Sequence, residues 1–360
     1  MIAVVIVTWT GWRDAVDCIR ACLALTGPPV RILLCDNASP DGTADLVEQW
    51  ATGALDIPPD PASPVPLPNA RPTTTARIAA TNATPPAQLL IIDTGANLGF
   101  AGGCNVGLHH ALATGASHVL FLNPDTVIAP DALTRLLHHA APDPHRGLTG
   151  ATMHLYHAPN RLQGTAGALN LRTFSCRHLT HAAPAATPPE PPRPHELLYP
   201  IGAAMLAARA FLETIGPMNP THFLYYEEAD WALRARGRFT IAIAPMARVY
   251  HKVGVTTGST PEGSSPSATA RLYRARLICA RHHAPRQLPH IYAAILSDLA
   301  RMLLRRRWGK VRGILAALMH QFHQTNTGCP PTASAADATN PPPRLSVTCT
   351  APATFTTPLP

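Results

Sequence analysis

The sequence lacks paired cysteines. Its eight Cys residues are scattered over 360 positions, and no two have the C-x-x-C spacing. Because structural zinc sites commonly draw their ligands from such pairs, we expect no structural zinc. Scattered cysteines are also typical of proteins that stay in a reducing compartment, so we expect free thiols.

Long apolar runs and a secretion signal are missing as well. No apolar run reaches the roughly 18 residues that a membrane-spanning helix needs. The chain starts directly with an apolar strand pattern, without the basic n-region of a signal peptide. We therefore expect a cytoplasmic protein that contacts the inner face of the cell membrane peripherally, if it contacts it at all.

Charged residues are few, at 14% of the chain, and their signs are unevenly distributed. The formal charge is +8, yet residues 271–312 hold eleven Lys and Arg and one acid, Asp298, so this segment alone carries +10. The remainder is therefore slightly acidic. Because the basic character belongs to one C-terminal segment, a nucleic acid is disfavoured as the partner of the whole protein.

Proline, in contrast, is abundant, with 39 copies. Two stretches rich in Pro, Ala and Thr interrupt the ordered patterns at about 52–88 and 176–198, and residues 325–360 have a similar composition. These stretches lack the apolar periodicity that builds a core. We expect the first to be a disordered or loosely packed insertion, the second a Pro-rich loop, and the third a disordered tail.

The N-terminal half alternates between strand and helix patterns. Apolar runs at 3–7, 30–35, 89–92 and 118–122 are typical of buried parallel strands, and helical patterns separate them. This alternation requires a parallel sheet with right-handed crossovers. The fold class that we predict is α/β, with a mostly parallel sheet flanked by helices over residues 1–260.

Asp125 follows one of these strands in the sequence Leu122-Asn123-Pro124-Asp125. Open α/β sheets bind ligands at the carboxyl ends of their strands, where this carboxylate would lie. An Asp in a turn is common, and by itself it would indicate only a turn. Asn97 and Gly99 open a glycine-rich segment that can bring the backbone close to a phosphate, although such loops also serve packing alone.

Three acids, Glu227, Glu228 and Asp230, begin a helix directly after an aromatic run at 223–226. Acids at a helix start also complement the helix dipole. Because two would be enough for that, the third and the aromatic run favour the floor of a pocket, where we expect Glu227, Asp230 and Trp231 to contact an acceptor. His251 follows a later strand and could be structural or a ligand.

The basic C-terminal segment, 261–324, has helical periodicity. Apolar residues such as Ile291, Ile295 and Leu299 recur beside basic ones, and Trp308 lies among the latter. This pattern is typical of an amphipathic helix on an anionic membrane surface. Packing of a helix pair against the first domain explains it equally well, so both interpretations stay open.

The order of these segments resembles the family 2 glycosyltransferases, in particular their rhamnosyltransferase-like branch. The resemblance covers about residues 3–255. It is carried by Val5-Ile6-Val7-Thr8-Trp9, Asp36-Asn37-Ala38-Ser39, Asn97-Leu98-Gly99-Phe100-Ala101-Gly102-Gly103, Leu122-Asn123-Pro124-Asp125, Tyr226-Glu227-Glu228-Ala229-Asp230 and Val249-Tyr250-His251.

The resemblance implies a GT-A (Rossmann-like) fold, a nucleotide-diphosphate sugar donor and a divalent metal, Mg²⁺ or Mn²⁺. It places the nucleotide-sugar at Thr8, Trp9, Asp36, Asn97, Gly99 and Asn123. Asp125 matches the last carboxylate of the metal-binding D-x-D motif, and His251 matches an additional metal ligand of some members. Glu228 matches the catalytic base, although the family usually has Asp at that position.

A single base and a single displacement would invert the anomeric centre, so the resemblance implies an inverting transferase that acts on a hydroxyl of a glycan or lipid-linked glycan. Rhamnose as the sugar follows from the branch alone. Two other functions stay open: a non-catalytic nucleotide-sugar-binding protein of the same fold, and a nucleotidyltransferase, which would need a second metal carboxylate and a basic residue near the first strand.

Overall fold

A computed structural model describes residues 1–254 and 265–327, the last seven by their backbone only. Its centre is a large twisted sheet with the strand order β3-β4-β2-β1-β5-β12-β7-β13-β6, and β8 pairs with β7. The strands are β1 Ile2–Thr8, β2 Val30–Asp36, β3 Thr75–Ala79, β4 Leu89–Asp93, β5 His118–Leu122, β6 Thr126–Ile128, β7 Arg146–Leu155, β8 Ala158–Gly164, β9 Ala166–Asn170, β10 Cys176–Leu179, β11 Glu196–Tyr199, β12 Ala204–Ala208 and β13 Thr240–His251.

Helices cover both faces of this sheet. They are α1 Trp12–Leu23, α2 Thr43–Thr52, α3 Gly99–Ala113, α4 Ala132–Ala140, α5 Arg209–Ile215, α6 Glu227–Ala235, α7 Pro266–His283, α8 Leu288–Leu304 and α9 Trp308–Thr327, with a short 3-10 turn at Pro285–Gln287. The prediction of an α/β fold with a mostly parallel sheet flanked by helices is confirmed.

The sheet is parallel where the sequence alternates between strand and helix. β3, β4, β2, β1 and β5 are parallel neighbours, and β12 then joins β5 antiparallel. Side chains alternate between faces: Val4 and Ile6 pack in one buried cluster, Ala3 and Val5 in the other. Because both faces are covered, the central strands β1, β2, β4 and β5 are mostly apolar. Their carboxyl ends meet along one edge, which leaves that edge open to a ligand.

The expected loose insertion at 52–88 is wrong in part. Thr75–Ala79 forms the edge strand β3, which pairs with β4, and Arg77 binds Asp93 through its guanidinium. Ile57 is buried, and Leu55 packs on the same core cluster. The apolar side chains of this Pro-rich segment are too sparse to show a period, yet they are enough to fix it to the sheet.

The expected loop at 176–198 also contains regular structure. Cys176–Leu179 is strand β10, which pairs with β9, and β9 pairs in turn with β11. Arg177 of β10 fixes the chain between β10 and β11, because its guanidinium binds Glu190 and Glu196. This three-stranded sheet stands beside the large one, near the end of β13.

The C-terminal helices pack on the first domain. Ile291 and Ile295 of α8 and Ile314 of α9 lie in one buried cluster with Ala229 and Ala232 of α6. The helical pattern of the basic segment is interrupted at 305–307, where the chain turns between α8 and α9. Among the described residues, no helix is long and apolar enough to cross a membrane. The expected tail falls almost wholly outside the described residues, and its first three residues belong to α9.

Candidate active site

A cavity of about 680 Å³ opens at the carboxyl edge of the sheet. Its polar lining comes from strand ends, from loops, from the first turn of α6 and from α7. These residues are Thr8, Trp9, Asn37, Asn97, Asn123, Asp125, Gln163, His178, Glu227, Glu228, His251 and Arg271. Gly99 lines it as well. Of the residues predicted from the sequence, the cavity therefore unites all except Asp36, Asp230 and Trp231.

Asp125 and His251 face each other in this cavity. Asp125 immediately precedes β6, whose Thr126 pairs with His251 at the end of β13. The His251 Nε2 atom lies 3.1 Å from Oδ1 of Asp125, and its Nδ1 lies 2.9 Å from Oε1 of Gln163. Burial alone would raise the pKa of Asp125, but the neighbouring His251 outweighs it and holds that pKa below its ordinary value.

This arrangement suits a cation. Because Oε1 of Gln163 can only accept, Nδ1 of His251 donates to it, which leaves Nε2 facing the carboxylate. With a proton on Nε2 the ring is a cation that lowers the pKa of Asp125, and without that proton Nε2 presents a lone pair. Two acceptors at 3.1 Å repel each other unless a proton or a metal ion lies between them. That separation matches the roughly 3.0 Å between adjacent ligands of an octahedral ion with bonds of about 2.1 Å.

The protein supplies few ligands here. Within the described parts of the chain, no group of three or more His, Cys, Asp and Glu side chains could hold a metal ion. Mg²⁺ and similar ions are commonly bound by one or two protein side chains together with substrate phosphates and waters. Asp125 and His251 therefore fit an ion that arrives with a phosphorylated ligand, and they do not make a closed structural site.

Glu228 stands on the other side of the cavity, in the first turn of α6. Two consecutive residues with positive φ, Tyr225 and Tyr226, turn the chain into that helix. Gly202 leaves the space that the carboxylate occupies, since a Cβ atom there would overlap Oε1 of Glu228. Burial raises the pKa of Glu228 to about 6, although the backbone N–H of Gly202 partly offsets the rise.

Glu227 lies beside it and is only 2% exposed. Its Oε2 atom has no hydrogen-bond partner among the described residues. Burial and the neighbouring Glu228 raise the pKa of Glu227 well above its ordinary value. Of the two acids, Glu227 holds its proton more tightly, and Glu228 is the one that ionises first.

The glycine-rich segment is fixed against the α6 side of the cavity. Gly99 has φ +71°, and a Cβ there would overlap the backbone oxygen of Phe223. Asn97 Oδ1 accepts from the backbone N–H of Gly99 at 3.1 Å, and Asn37 Nδ2 donates to the Gly99 carbonyl at 2.9 Å. Glycine is thus required at 99 both for its conformation and for the close approach.

The structure corrects the prediction for Asp36. Its carboxylate is 95% buried and turns back to accept from the hydroxyl and the backbone N–H of Ser39. Burial raises the pKa of Asp36 despite these bonds. The next residue, Asn37, lines the cavity in its place. Sequence reasoning selected the charged member of the pair, although only the amide faces the cavity.

Asp230 and Trp231 are also away from the cavity, which corrects the prediction that they contact an acceptor. Asp230 binds Nε of Arg234 at 2.8 Å and Nε2 of His283 at 2.7 Å. Trp231 is fully buried against Phe121, and its Nε1 donates to a backbone carbonyl. Asp230 thus joins α6 to α7, and Trp231 fills the core beneath the site.

Sequence reasoning missed Gln163, His178 and Arg271. They come from β8, β10 and α7, which have no motif, so no sequence signal marks them. A second cavity of about 490 Å³ shares His178, Ile201, Tyr225, Glu228 and Leu272 with the first. Its other lining residues are Cys176, Arg177, His181, Tyr199 and Tyr226. Glu228 therefore stands where the two cavities meet.

Known proteins similar to this chain can be set beside this geometry. No protein-family model matches it. A curated protein, the low-salt glycan biosynthesis hexosyltransferase Agl10 of Haloferax volcanii, is 26% identical to it over 149 residues. That stretch is 40% of this chain and 45% of the relative, so the match spans less than half of either protein.

Two solved structures also resemble this chain. The mannosyltransferase PcManGT from Pyrobaculum calidifontis, solved with GDP-Man and Mn²⁺, is 14% identical with a TM-score of 0.48 over 89% of this chain and 86% of its own. S. aureus TarS 1–349, solved with UDP, is 14% identical with a TM-score of 0.43 over 79% of this chain and 66% of its own. At these TM-scores the likeness carries no argument about this chain, so its chemistry has to be argued from the cavity itself.

Proposed function

We propose that the protein is a glycosyltransferase that moves a hexosyl group from a nucleotide-diphosphate sugar to a hydroxyl of a glycan or lipid-linked glycan. The observation that carries the proposal is the shared cavity: a cation-suited pair, Asp125 and His251, and an ionisable base, Glu228, line it together. The hexosyltransferase similarity over 149 residues supports the reaction class. Rhamnose, family 2 and the GT-A type are the finer proposals, which follow from the sequence resemblance.

The donor would lie over the strand ends. Thr8 and Trp9 follow β1, and Trp9 is 41% exposed, which leaves its ring available for stacking on a nucleobase. Asn37, Asn97 and Asn123 provide neutral hydrogen-bonding groups for the nucleoside and the sugar. Arg271 lines the same cavity from α7 and offers a cation for a phosphate.

Asp125 and His251 would hold the divalent ion, Mg²⁺ or Mn²⁺, with Gln163 orienting the imidazole. When bound, the ion supplies positive charge to the diphosphate, which gains negative charge as the glycosidic bond breaks. His251 would serve as a neutral ligand, and Asp125, whose pKa is lowered, stays ionised throughout the neutral range.

Glu228 would take the proton from the acceptor hydroxyl. With a pKa of about 6 it is ionised at neutral pH, yet it is more basic than an ordinary carboxylate. Glu227 has a pKa raised well above its ordinary value, which disfavours a second negative charge beside Glu228. One displacement with one base transfers the sugar with inversion, so we propose an inverting mechanism.

The second cavity would receive the acceptor, because Glu228 lines both cavities. Burial lowers the pKa of His178 to about 4, so its ring is neutral, and Arg177 is already bound to Glu190 and Glu196. With Tyr225 and Ile201, this lining suits an uncharged, hydroxyl-bearing group such as a sugar ring.

A panel of nucleotide sugars tests the proposal. The protein is incubated with each donor and Mg²⁺ or Mn²⁺, with and without chelator, and the released nucleotide is measured. We expect metal-dependent release from at least one donor, and loss of this release in Asp125→Ala. Tight binding of a donor without release would instead favour the non-catalytic alternative, and pyrophosphate release from a nucleoside triphosphate and a sugar phosphate would favour a nucleotidyltransferase.

A further inference from the structure

Exposed apolar side chains are concentrated on the C-terminal helices. Of the eleven large hydrophobic side chains exposed among the described residues, seven belong to α7, α8 and α9. They are Leu272, Leu296, Leu303, Leu304, Trp308, Leu315 and Met319. The inward side chains Ile291, Ile295 and Ile314 pack on the first domain. Packing on the first domain therefore accounts for one face of these helices, and among the described residues none of the seven exposed side chains belongs to that buried cluster.

The turn between α8 and α9 combines this apolar exposure with positive charge. Leu304 is 84% exposed and Trp308 59%, and the three residues between the two helices, 305–307, are all exposed Arg. Asp298, the single acid between residues 264 and 327, is bound by Arg276 and Arg301. Among the described residues, α7, α8 and α9 therefore offer no further acid to Arg305 and Arg306 of this turn, which we call the LRW tip (Leu303–Trp308).

We propose that the LRW tip docks on an anionic lipid surface. Guanidinium groups bind lipid phosphates, and Trp and Leu enter the boundary between headgroups and acyl chains. A partner recognised by charge alone, such as a nucleic acid, would not require Leu303, Leu304 and Trp308 to be exposed together. Residues 328–360 of the chain itself carry one acid and one Arg, so they offer no complementary charge.

The tip lies next to the part of α7 that walls the first cavity. Gly309, one residue beyond the tip, would bring a Cβ atom to 3.6 Å from Pro266, and Gly313 packs against Thr269. Ala268, Arg271 and Leu272 on these first turns of α7 line the cavity. Docking through the tip would hold that end of the cavity near the lipid headgroups, which suits a lipid-linked acceptor. This consequence, unlike docking itself, rests on the proposed function.

Sedimentation with vesicles tests the docking. The full chain is mixed at low salt with vesicles of phosphatidylcholine alone or with about one-third phosphatidylglycerol. We expect binding to the anionic vesicles only, weakening as salt rises. Each basic residue near such a surface strengthens binding roughly fivefold, so Arg305→Ala with Arg306→Ala should weaken it about 25-fold. Leu304→Ser with Trp308→Ser should also weaken it, and this loss should be largest at high salt, where the apolar contribution dominates.

The matched control removes the same charge elsewhere. Arg236→Ala with Arg238→Ala changes two exposed Arg residues on the turn between α6 and β13, and should bind vesicles like the parent chain. Absence of binding to anionic vesicles at low salt, or equal loss in tip and control variants, would overturn the proposal. So would tip-dependent binding of a short RNA, or tip-dependent self-association, without vesicle binding.

Transfer to a water-soluble acceptor separates this proposal from the proposed function. The tip variants should retain it at the parent rate, because no tip residue lines the cavity. A parent chain that binds vesicles but transfers no sugar would leave the docking intact and contradict the glycosyltransferase assignment alone.

Discussion

Asp125 and the pair of Glu227 and Glu228 are buried carboxylates of one cavity, yet their environments shift the pKa in opposite directions. Asp125 faces an imidazole, which outweighs the effect of burial and lowers the pKa. Glu227 and Glu228 are neighbours in the first turn of α6, and burial raises the pKa of both. Environment, more than residue type, separates a group that stays charged to hold a cation from one that can exchange a proton.

The sharpest way to break this comparison is to remove the base. Glu228→Gln keeps the shape of the side chain but cannot accept a proton, so we expect kcat to fall roughly 10²- to 10⁴-fold. Steady-state transfer rates with a saturating donor measure this effect. Glu213→Gln on the exposed face of α5 is the matched control and should transfer normally. A Glu228→Gln variant with near-normal kcat would move the base to another group.

Metal binding can be weakened without replacing either proposed ligand, Asp125 or His251. Gln163→Ala removes the acceptor that orients His251, and losses of this kind typically cost about 10- to 100-fold in metal affinity. We expect the Mn²⁺ concentration for half-maximal activity to rise accordingly, while kcat at saturating Mn²⁺ changes little. Gln49→Ala, on the exposed face of α2, provides the control. An unchanged Mn²⁺ requirement would remove His251 from the ligand set.

The pH profile tests the protonation state assigned to Glu228. A base with a pKa of about 6 loses its function as pH falls, so kcat should drop about tenfold per pH unit below pH 6 and level off above pH 7. Asp125 remains ionised over this range because its pKa is lowered. A profile flat down to pH 5 would show that the base has an ordinary carboxylate pKa.

Ionised Glu228 and ionised Asp125 should affect the stability of the fold in opposite directions. Glu228 binds its proton more tightly in the folded protein than in the unfolded chain. Its contribution to the stability of the fold is therefore lost as pH rises from about 4.5 to about 6. Glu228→Gln should therefore stabilise the fold at pH 8, by up to about 2 kcal/mol. The pKa of Asp125 is lowered in the folded protein, so its ionised carboxylate stabilises the fold at pH values above the pKa of the unfolded state. Asp125→Asn should therefore lower Tm at pH 8. If both variants were more stable than the parent at pH 8, or both less stable, the environments assigned to the two carboxylates would be contradicted.

The local sequence pattern was sufficient to predict β1, β2, β4 and β5 and most of the predicted residues that line the cavity. β1, β2, β4 and β5 are continuous apolar runs, and the residues after three of them face the cavity because parallel strands end at one edge. β3 escaped prediction because its side chains are only partly buried and prolines surround it. A strand at the sheet edge needs less apolar surface, and its sequence signal is correspondingly weak.

The misplaced residues follow from geometry that a motif does not contain. Glu228 reaches the cavity from the first turn of α6, but Asp230 of the same turn faces α7, and Trp231 faces the core. Gln163 and His178 arrive from segments distant in sequence, brought in by the pairing of β7 with β8 and of β9 with β10. A placement that depends on tertiary contacts cannot be predicted from the local periodicity of the sequence.

The most direct test compares Asp125→Asn and Glu228→Gln in one pair of measurements: Mn²⁺ affinity in the presence of a nucleoside diphosphate, by titration, and the transfer rate at saturating Mn²⁺. We predict that Asp125→Asn loses Mn²⁺ affinity, whereas Glu228→Gln binds Mn²⁺ like the parent protein and loses transfer. Equal Mn²⁺ affinity of the parent and both variants, or loss of Mn²⁺ binding in Glu228→Gln, would contradict the division of roles between the two carboxylates.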